Sequence, residues 1–331
     1  MLGNTMSGKR TVSQLQHALR ALKREAVGFT FSFPLQARVH AACAGALEYY
    51  IVSDVLFLDD MRFDAQGVVQ KVYRAQGPQY NPLFIAWWGL HRLGVFHATG
   101  DSDALKDFWV QIEWLRLHAL RRQDEAVVWP CAFDWQEGAA RLKSPWISAM
   151  YQSVVISALV RAYRLKKDSE LIDLCLKATK VFSLSIEDGG VRTVMGRGAL
   201  YEEYPVYPLP RVLDGFLFSL LGLYDLAVET GAPQIHGLFA DGVCGLREAL
   251  GMWDYRGKWS WYGTHGYLCP PHYHQLNACL LELVGTLVGD EELVVRAHRW
   301  LPPKRSWLDQ AEIYSAFLLT KNLARLRLPR N

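Results

Sequence analysis

A glutamate and a tyrosine, Glu203 and Tyr204, and two further tyrosines, Tyr262 and Tyr273, stand in segments crowded with aromatic, proline and glycine residues. Carboxylates and phenols can move a proton at carbon, one group taking it and another returning it. A free tyrosine titrates near about 10, so a tyrosine base at neutrality needs a cation or a hydrogen-bond network to lower it. A carboxylate such as Glu203 can accept the proton itself or through a tyrosine. The structural alternative is plain packing, with each hydroxyl satisfied and the Glu202–Glu203 pair solvated on a loop.

Other residues suit a sugar. Trp146, Ser148 and Gln152 lie within two helical turns, where spacings of three and four put side chains on neighbouring faces. Trp146 can stack on a sugar ring and Gln152 can bond a hydroxyl; the alternative is a helix packing its aromatic end into the core. Asn81, before Pro82, either touches substrate or caps its helix, and capping is the simpler role. His265, Cys269, His272 and His274 include C-x-x-H and H-x-H spacings that zinc can use. No CxxC or HExxH string accompanies them, and Pro270-Pro271 constrains the backbone between, so no metal site is assigned. His274 reads better as a substrate-contacting or proton-relaying histidine. A glycoside hydrolase would need a second carboxylate beside Glu203, for which Asp134 and Asp214 are the candidates.

The 331 residues provide one large domain or two ordinary ones, and half of them are apolar. A net charge of +3 without long basic runs argues against nucleic acid, while a mild positive excess suits an acidic substrate. Twelve Trp, fifteen Tyr and fourteen Phe fit either a carbohydrate cleft or a large helical core. GxGxxG and P-loop strings are absent, and no cofactor is expected. The six cysteines, Cys43, Cys131, Cys175, Cys244, Cys269 and Cys279, follow no paired pattern and read as buried thiols of a reducing compartment. The start, MLGNTMSGKR, carries neither a signal-peptide apolar segment nor a membrane span, which predicts a cytoplasmic protein.

The elements that must position these residues are helical. Apolar spacing predicts helices from Val12 to Ala26 (with Leu15, Leu19 and Leu22), Pro82–Thr99, Ala104–Arg122, Pro145–Leu165, Ser169–Leu184, Pro210–Glu229, Ile235–Leu250, Tyr273–Leu287 and Asp309–Leu326. Pro82, Pro145 and Pro210 stand near helix starts, and Gly100–Asp103 and Lys167–Ser169 read as capped turns. Residues 52–80 predict a short irregular or β-hairpin segment, turning at Asp64–Gly67, and Arg256–Pro271 is irregular. Repeated helix–turn–helix units predict an all-α protein, an incomplete or complete (α/α)6-type toroid of helical hairpins. One domain over residues 1–331 is expected, with an N-terminal helical extension over about 1–50.

Several strings, in order, resemble the C-terminal catalytic domain of the D-glucuronyl C5-epimerases of heparan sulfate synthesis. They are YNPLFIAWWGLHRL (80–93), VWPCAFDW (128–135), SPWISAMYQSVVISALVRAY (144–163), IEDGGV (186–191) and ALYEEYPVYPLPRVLDGFLFSLLGLYDL (199–226). WSWYGTHGYLCPPHYHQLNACLLEL (259–283) is similar to a last region in which the family carries one tyrosine in Y-D-L-R-H and another in D-Y-H-x-x-H. The resemblance implies an α/α-barrel isomerase that converts D-glucuronate to L-iduronate within a polysaccharide. A C5 proton leaves from beside the carboxylate and one returns on the opposite face, without a cofactor. It implies Tyr262, Tyr273, Glu203 and Tyr204 as catalytic residues, with Trp146, Gln152, Asn81, Tyr201, Arg211, His265 and His274 around the substrate.

Three departures bear on substrate recognition. Tyr262-Gly263-Thr264-His265 lacks the arginine of Y-D-L-R-H, so gripping a uronate carboxylate falls to His265, His274, Arg211 or a lysine from elsewhere. Asn277 stands where the family has its second histidine, and Asp214 replaces the Asn of V-L-N-G-F. The expected partner is a glucuronate-containing acidic polysaccharide, with a homodimer compatible. The alternatives are a uronate polysaccharide lyase of the same toroid type and a non-catalytic glycan-binding homologue.

Overall fold

Four successive helical hairpins make up a computed structural model that describes residues 23, 25–31, 36–37, 46–52 and 60–327. Helix α1 (Pro82–Thr99) starts where Asn81 accepts a hydrogen bond from the Leu83 N–H, with Pro82 in the first turn. It stops at Gly100, whose φ of 74° only glycine adopts freely. Asp101 caps α2 (Ser102–Leu117), Ser148 caps α3 (Ala149–Lys166) and Asp168 caps α4 (Ser169–Ala178). Then come α5 (Leu213–Thr230), α6 (Pro233–Ala249), α7 (Pro271–Leu287), α8 (Glu291–Trp300) and α9 (Trp307–Arg327).

Burial separates the helices into two layers. Fourteen residues of α3 and fourteen of α5 are buried, against four in α4 and three in α8. Helices buried all round belong inside, and those with one apolar stripe lie outside. Accordingly α1 packs on α3, α3 on α5 and α5 on α7, while α2, α4, α6 and α8 each cover the helix before them. The architecture is an α/α toroid, with four inner–outer pairs among the described residues.

A close seam joins α3 to α5. A Cβ on Gly222 would fall 2.3 Å from the Ser153 carbonyl oxygen, so only glycine permits that approach. Farther along, Arg161 meets Asp225 at 2.7 Å, with both side chains essentially inaccessible to solvent. The Tyr50 hydroxyl donates to the other Asp225 oxygen at 2.6 Å, and Arg161 donates to the Ser157 and Glu48 carbonyls. Such pairing is what lets a charge lie in a core, and the guanidinium, whose Nη2 has no hydrogen-bond partner among the described residues, lies over the Tyr49 and Tyr50 rings.

Short strands fill the loops. Met61–Phe63, Val69–Tyr73 and Gly77–Gln79 form the antiparallel sheet expected between 52 and 80, turning where Asp64 accepts from the Gln66 and Val68 N–H groups. Several helix limits differ from the sequence pattern. Helix α2 ends at Leu117, because Leu120–Arg121 pairs with Val127–Val128. Trp146 exchanges backbone hydrogen bonds with Cys131, which delays α3 beyond Pro145. Arg211 adopts φ 48°, so α5 begins at Leu213 and not at Pro210. Helix α8 has no counterpart in the expected set. The helix expected over Val12–Ala26 lies largely outside the described residues, although Lys23 and Glu25–Gly28 are helical. Among the described residues, no helix is long and apolar enough to cross a membrane.

Candidate active site

The first turns of three inner helices bring chemistry to one end of the toroid. They carry Tyr151 on α3, Asp214 on α5 and Tyr273 on α7. Two loops fill the space between them. One follows the hairpin of Arg192–Met195 with Gly198–Tyr201 and holds Glu203 and Tyr204. It is tied down by the Ala149 N–H donating to the Glu202 carbonyl and the Glu202 N–H donating to that of Val191. The other is a tight loop in which the Tyr262 N–H donates to the Tyr267 carbonyl. Thr264 bonds the Pro210 carbonyl, and Gly263, at φ 53°, lies so close that a Cβ would meet that oxygen at 2.1 Å. Loop and α5 entrance therefore hold one another in register.

The rings make two groups, near enough for Tyr262 to act on Tyr204 through space. Tyr262 lies 5.5 Å from Tyr273 and stacks on Tyr267 at 5.4 Å, centroid to centroid. Trp146 lies 5.6 Å from Tyr151 and 6.0 Å from Tyr204, with its indole N–H donated to the Phe133 carbonyl. Glu203 rests on the first turn of α5 and is buried with Asp214.

Burial dominates the electrostatics. It pushes Glu203 well above the carboxylate range, reinforced by the charge of Asp214, and a hydrogen bond from Tyr204 offsets only part of this. Burial pushes Asp214 up to about 7 even though the backbone N–H groups of Asp214 and Gly215 favour its charged form. Tyr204, Tyr262 and Tyr273 are all raised, first by burial and then by surrounding carboxylates and phenols. A tyrosine acting as base at neutrality would need to be lowered from its ordinary value. The structure reverses that: these phenols hold their protons and can donate hydrogen bonds, and the Glu203–Asp214 pair is the group in the cluster able to accept a proton near neutrality.

A third carboxylate, Glu137, was not legible as a site residue. It sits on the hairpin of Trp135–Glu137 with Ala140–Leu142, turning through Gly138 at φ 59°. Its Oε1 is 2.9 Å from His265 Nε2, while His265 Nδ1 is 2.8 Å from the Tyr262 carbonyl. Its charge is felt by Glu203, Asp214, Tyr204, Tyr262 and Tyr273. A Trp-Gln-Glu-Gly turn is the one local signal that could have drawn attention to it. Tyr151, first-turn neighbour of Trp146, was missed for lack of any signal beyond its helix.

Glu203, Tyr204, Tyr262, Tyr273, Trp146 and His265 are thus brought together, Asn81 reaches the edge of the cluster at Tyr151, and four other expected residues are not part of it. Gln152 accepts from the Trp129 N–H at 2.9 Å and donates to the Val127 carbonyl at 2.9 Å, so it serves a buried strand and no sugar hydroxyl. Asn81 caps α1 and donates to the Tyr73 hydroxyl. Tyr201 is a core residue whose hydroxyl donates to the Leu238 carbonyl. Arg211 points to the Met195 sulfur and toward Glu202. His274 departs furthest from its expected relay role. Both ring nitrogens are engaged, Nδ1 by Ser260 and Nε2 by the Trp300 carbonyl, and its ring stacks on Trp259 at 3.5 Å. Burial pushes it down to about 3, so it stays neutral. Asp134 is on the surface, paired with Lys143.

Comparison with known proteins shows the family to which this segment belongs. The family model for the D-glucuronyl C5-epimerase C-terminus matches residues 123–302, which include every residue of the cluster. A D-glucuronyl C5-epimerase of Caenorhabditis elegans is 31% identical over 215 residues, covering 59% of this chain and 34% of the nematode protein. An uncharacterized protein of Methanocaldococcus jannaschii is 26% identical over 178 residues, covering 53% of this chain and 57% of its own. The chain thus spans about a third and somewhat over half of the lengths of these two relatives. Among solved structures, the GH76 alpha-mannanase of Bacteroides thetaiotaomicron aligns with a TM-score of 0.47 at 11% identity, covering 82% of this chain and 78% of that one. With more than half its length inside the family model, and the matched segment carrying the whole carboxylate–tyrosine cluster, the chain belongs to the D-glucuronyl C5-epimerase C-terminus family.

Proposed function

We propose that this chain is a carbohydrate epimerase that inverts C5 of D-glucuronate units within an acidic polysaccharide, giving L-iduronate. The observation that carries this reading is the meeting of buried, proton-hungry carboxylates with neutral tyrosines at one end of the toroid.

A hydrogen next to a carboxylate is very weakly acidic, so its removal needs both a base and stabilisation of the charge that builds on the carboxylate oxygens. The Glu203–Asp214 pair takes the C5 proton, directly or through Tyr204, and the C–H electrons move into the sugar carboxylate. Neutral phenols donate hydrogen bonds to those oxygens. Tyr262 or Tyr273 then gives its proton to C5 from the opposite face, and the proton held by the carboxylate pair, exchanged through water, restores the phenol. No oxidation occurs, so the reaction requires no cofactor. Trp146 provides a flat wall for the sugar ring, and His265 braces Glu137 beneath the loop. A base near 7 is matched to proton transfer at neutral pH.

Incubating the protein in heavy water with a panel of uronate polymers, heparosan among them, should place deuterium at C5 without shortening the chain. Ultraviolet-absorbing unsaturated ends on shortened chains would assign a lyase instead. No exchange across the panel would overturn both chemistries.

A further inference from the structure

The site has carboxylates in plenty but lacks the loop arginine, and one cation is left over beside it. Lys321 lies on α9, beyond the segment shared with the family. Its Nζ is 3.9 Å from the centroid of the Tyr267 ring, which stacks on Tyr262 at an interplanar angle of 13°. Its charge is also felt by His272, the residue before Tyr273, and by Cys269. Lys321 therefore stands beside both tyrosine-bearing segments.

Helix α9 is fixed there. Ile313 and Phe317 form a second small core with Trp259 and Leu268, and the Leu268 N–H donates to Thr320 Oγ1 at 3.2 Å. Yet no carboxylate among the described residues pairs with the Lys321 ammonium. The two whose charge reaches it are already engaged, Glu25 by Arg325 and Glu137 by His265. The half-buried ammonium is held below the ordinary lysine range, chiefly by desolvation. A cation without a counter-ion in such a place loses stability that an arriving anion restores.

We infer that Lys321 supplies the cation that grips the uronate carboxylate, in place of the arginine absent from the Tyr262–His265 loop. The inference rests on the epimerase reading and names how that site would select an acidic sugar. Its alternative is a lysine that merely packs on Tyr267.

The test compares wild type, Lys321→Met, Lys321→Gln and Lys321→Arg, with folding checked by circular dichroism and thermal melting. The probes are a heparosan tetrasaccharide and its carboxyl-reduced counterpart, with binding followed by calorimetry and C5 deuterium exchange measured in parallel. Met and Gln should weaken binding of the acidic probe by about 30-fold or more, as expected for removing one member of a buried charge pair. Binding of the reduced probe should be unchanged, and Arg should retain most of the acidic affinity. Folded Met and Gln variants that bind the acidic probe as wild type does overturn the role of Lys321 while leaving the epimerase reading standing, provided that wild type exchanges deuterium. If wild type neither binds nor exchanges, both fail.

Discussion

Glu203 rests directly on Gly215, with no room for a methyl group between them. A Cβ on that glycine would lie 2.3 Å from Glu203 Oε2 and 2.7 Å from its Cβ. The strand-side loop and the first turn of α5 thus fit together only because residue 215 lacks a side chain. Gly215→Ala should displace the carboxylate and lower C5 exchange by about 10²-fold, the cost of a misplacement near 1 Å. Overpacking should also cost about 1–3 kcal/mol of stability, read by denaturant titration. Full activity in this variant would show that the Glu203 position is not used.

Tyr262→Phe and Tyr273→Phe remove a hydroxyl and leave the ring contacts. Each should cut the exchange rate by roughly 10² to 10⁴, the range for losing a positioned acid. Melting temperatures should hardly move, since the aromatic packing is kept. If both variants exchange at the wild-type rate, the phenols only pack.

Asp214 would make the proposed proton transfer depend on pH. Its folded value of about 7 stands above the ordinary 3.8, so the folded protein keeps a proton that the unfolded chain has already lost between those values. Stability should therefore fall as pH rises from about 4 to about 7 and level off above. Asp214→Asn stays neutral throughout and should melt higher than wild type at pH 7.5, by up to about 4 kcal/mol, a difference that vanishes near pH 4. The rate of exchange should rise through neutrality in wild type as the carboxylate pair ionises, and that rise should flatten in the variant. Melts and rates across pH would show otherwise if the two proteins ran parallel.

Gln152 separates a buried strap from a sugar contact. Replacing it with Ala leaves the Trp129 N–H and the Val127 carbonyl unpaired in the core, which should cost about 1–3 kcal/mol. The KM for the polymer should not change in the folded fraction. A raised KM with unchanged stability would return Gln152 to the binding site.

The inner helices were readable because their apolar spacing and caps are local. Asn81, Asp101 and Asp168 announce helix starts through their own short side chains. Where backbone partners come from afar, the pattern misled. Pro145 looked like a helix start, but Trp146 is committed to Cys131, and Arg211 turns left-handed where the Pro210 helix was expected. In the site, string resemblance singled out Glu203, Tyr204, Tyr262 and Tyr273, which the structure places in one cluster. It also singled out Gln152, Tyr201 and His274, whose polar atoms are spent on the protein itself.

The sequence by itself determined the helical hairpins, the family and the residue types available for proton transfer, because these depend on local spacing and ordered strings. Tertiary structure alone decided their charge states and company. Glu137 comes from a segment far from Glu203 and Asp214, and only burial in one place makes the latter two proton-hungry and tightens the tyrosines' hold on their protons. Desolvation and through-space charge are properties of a place in the fold, and no stretch of chain contains them.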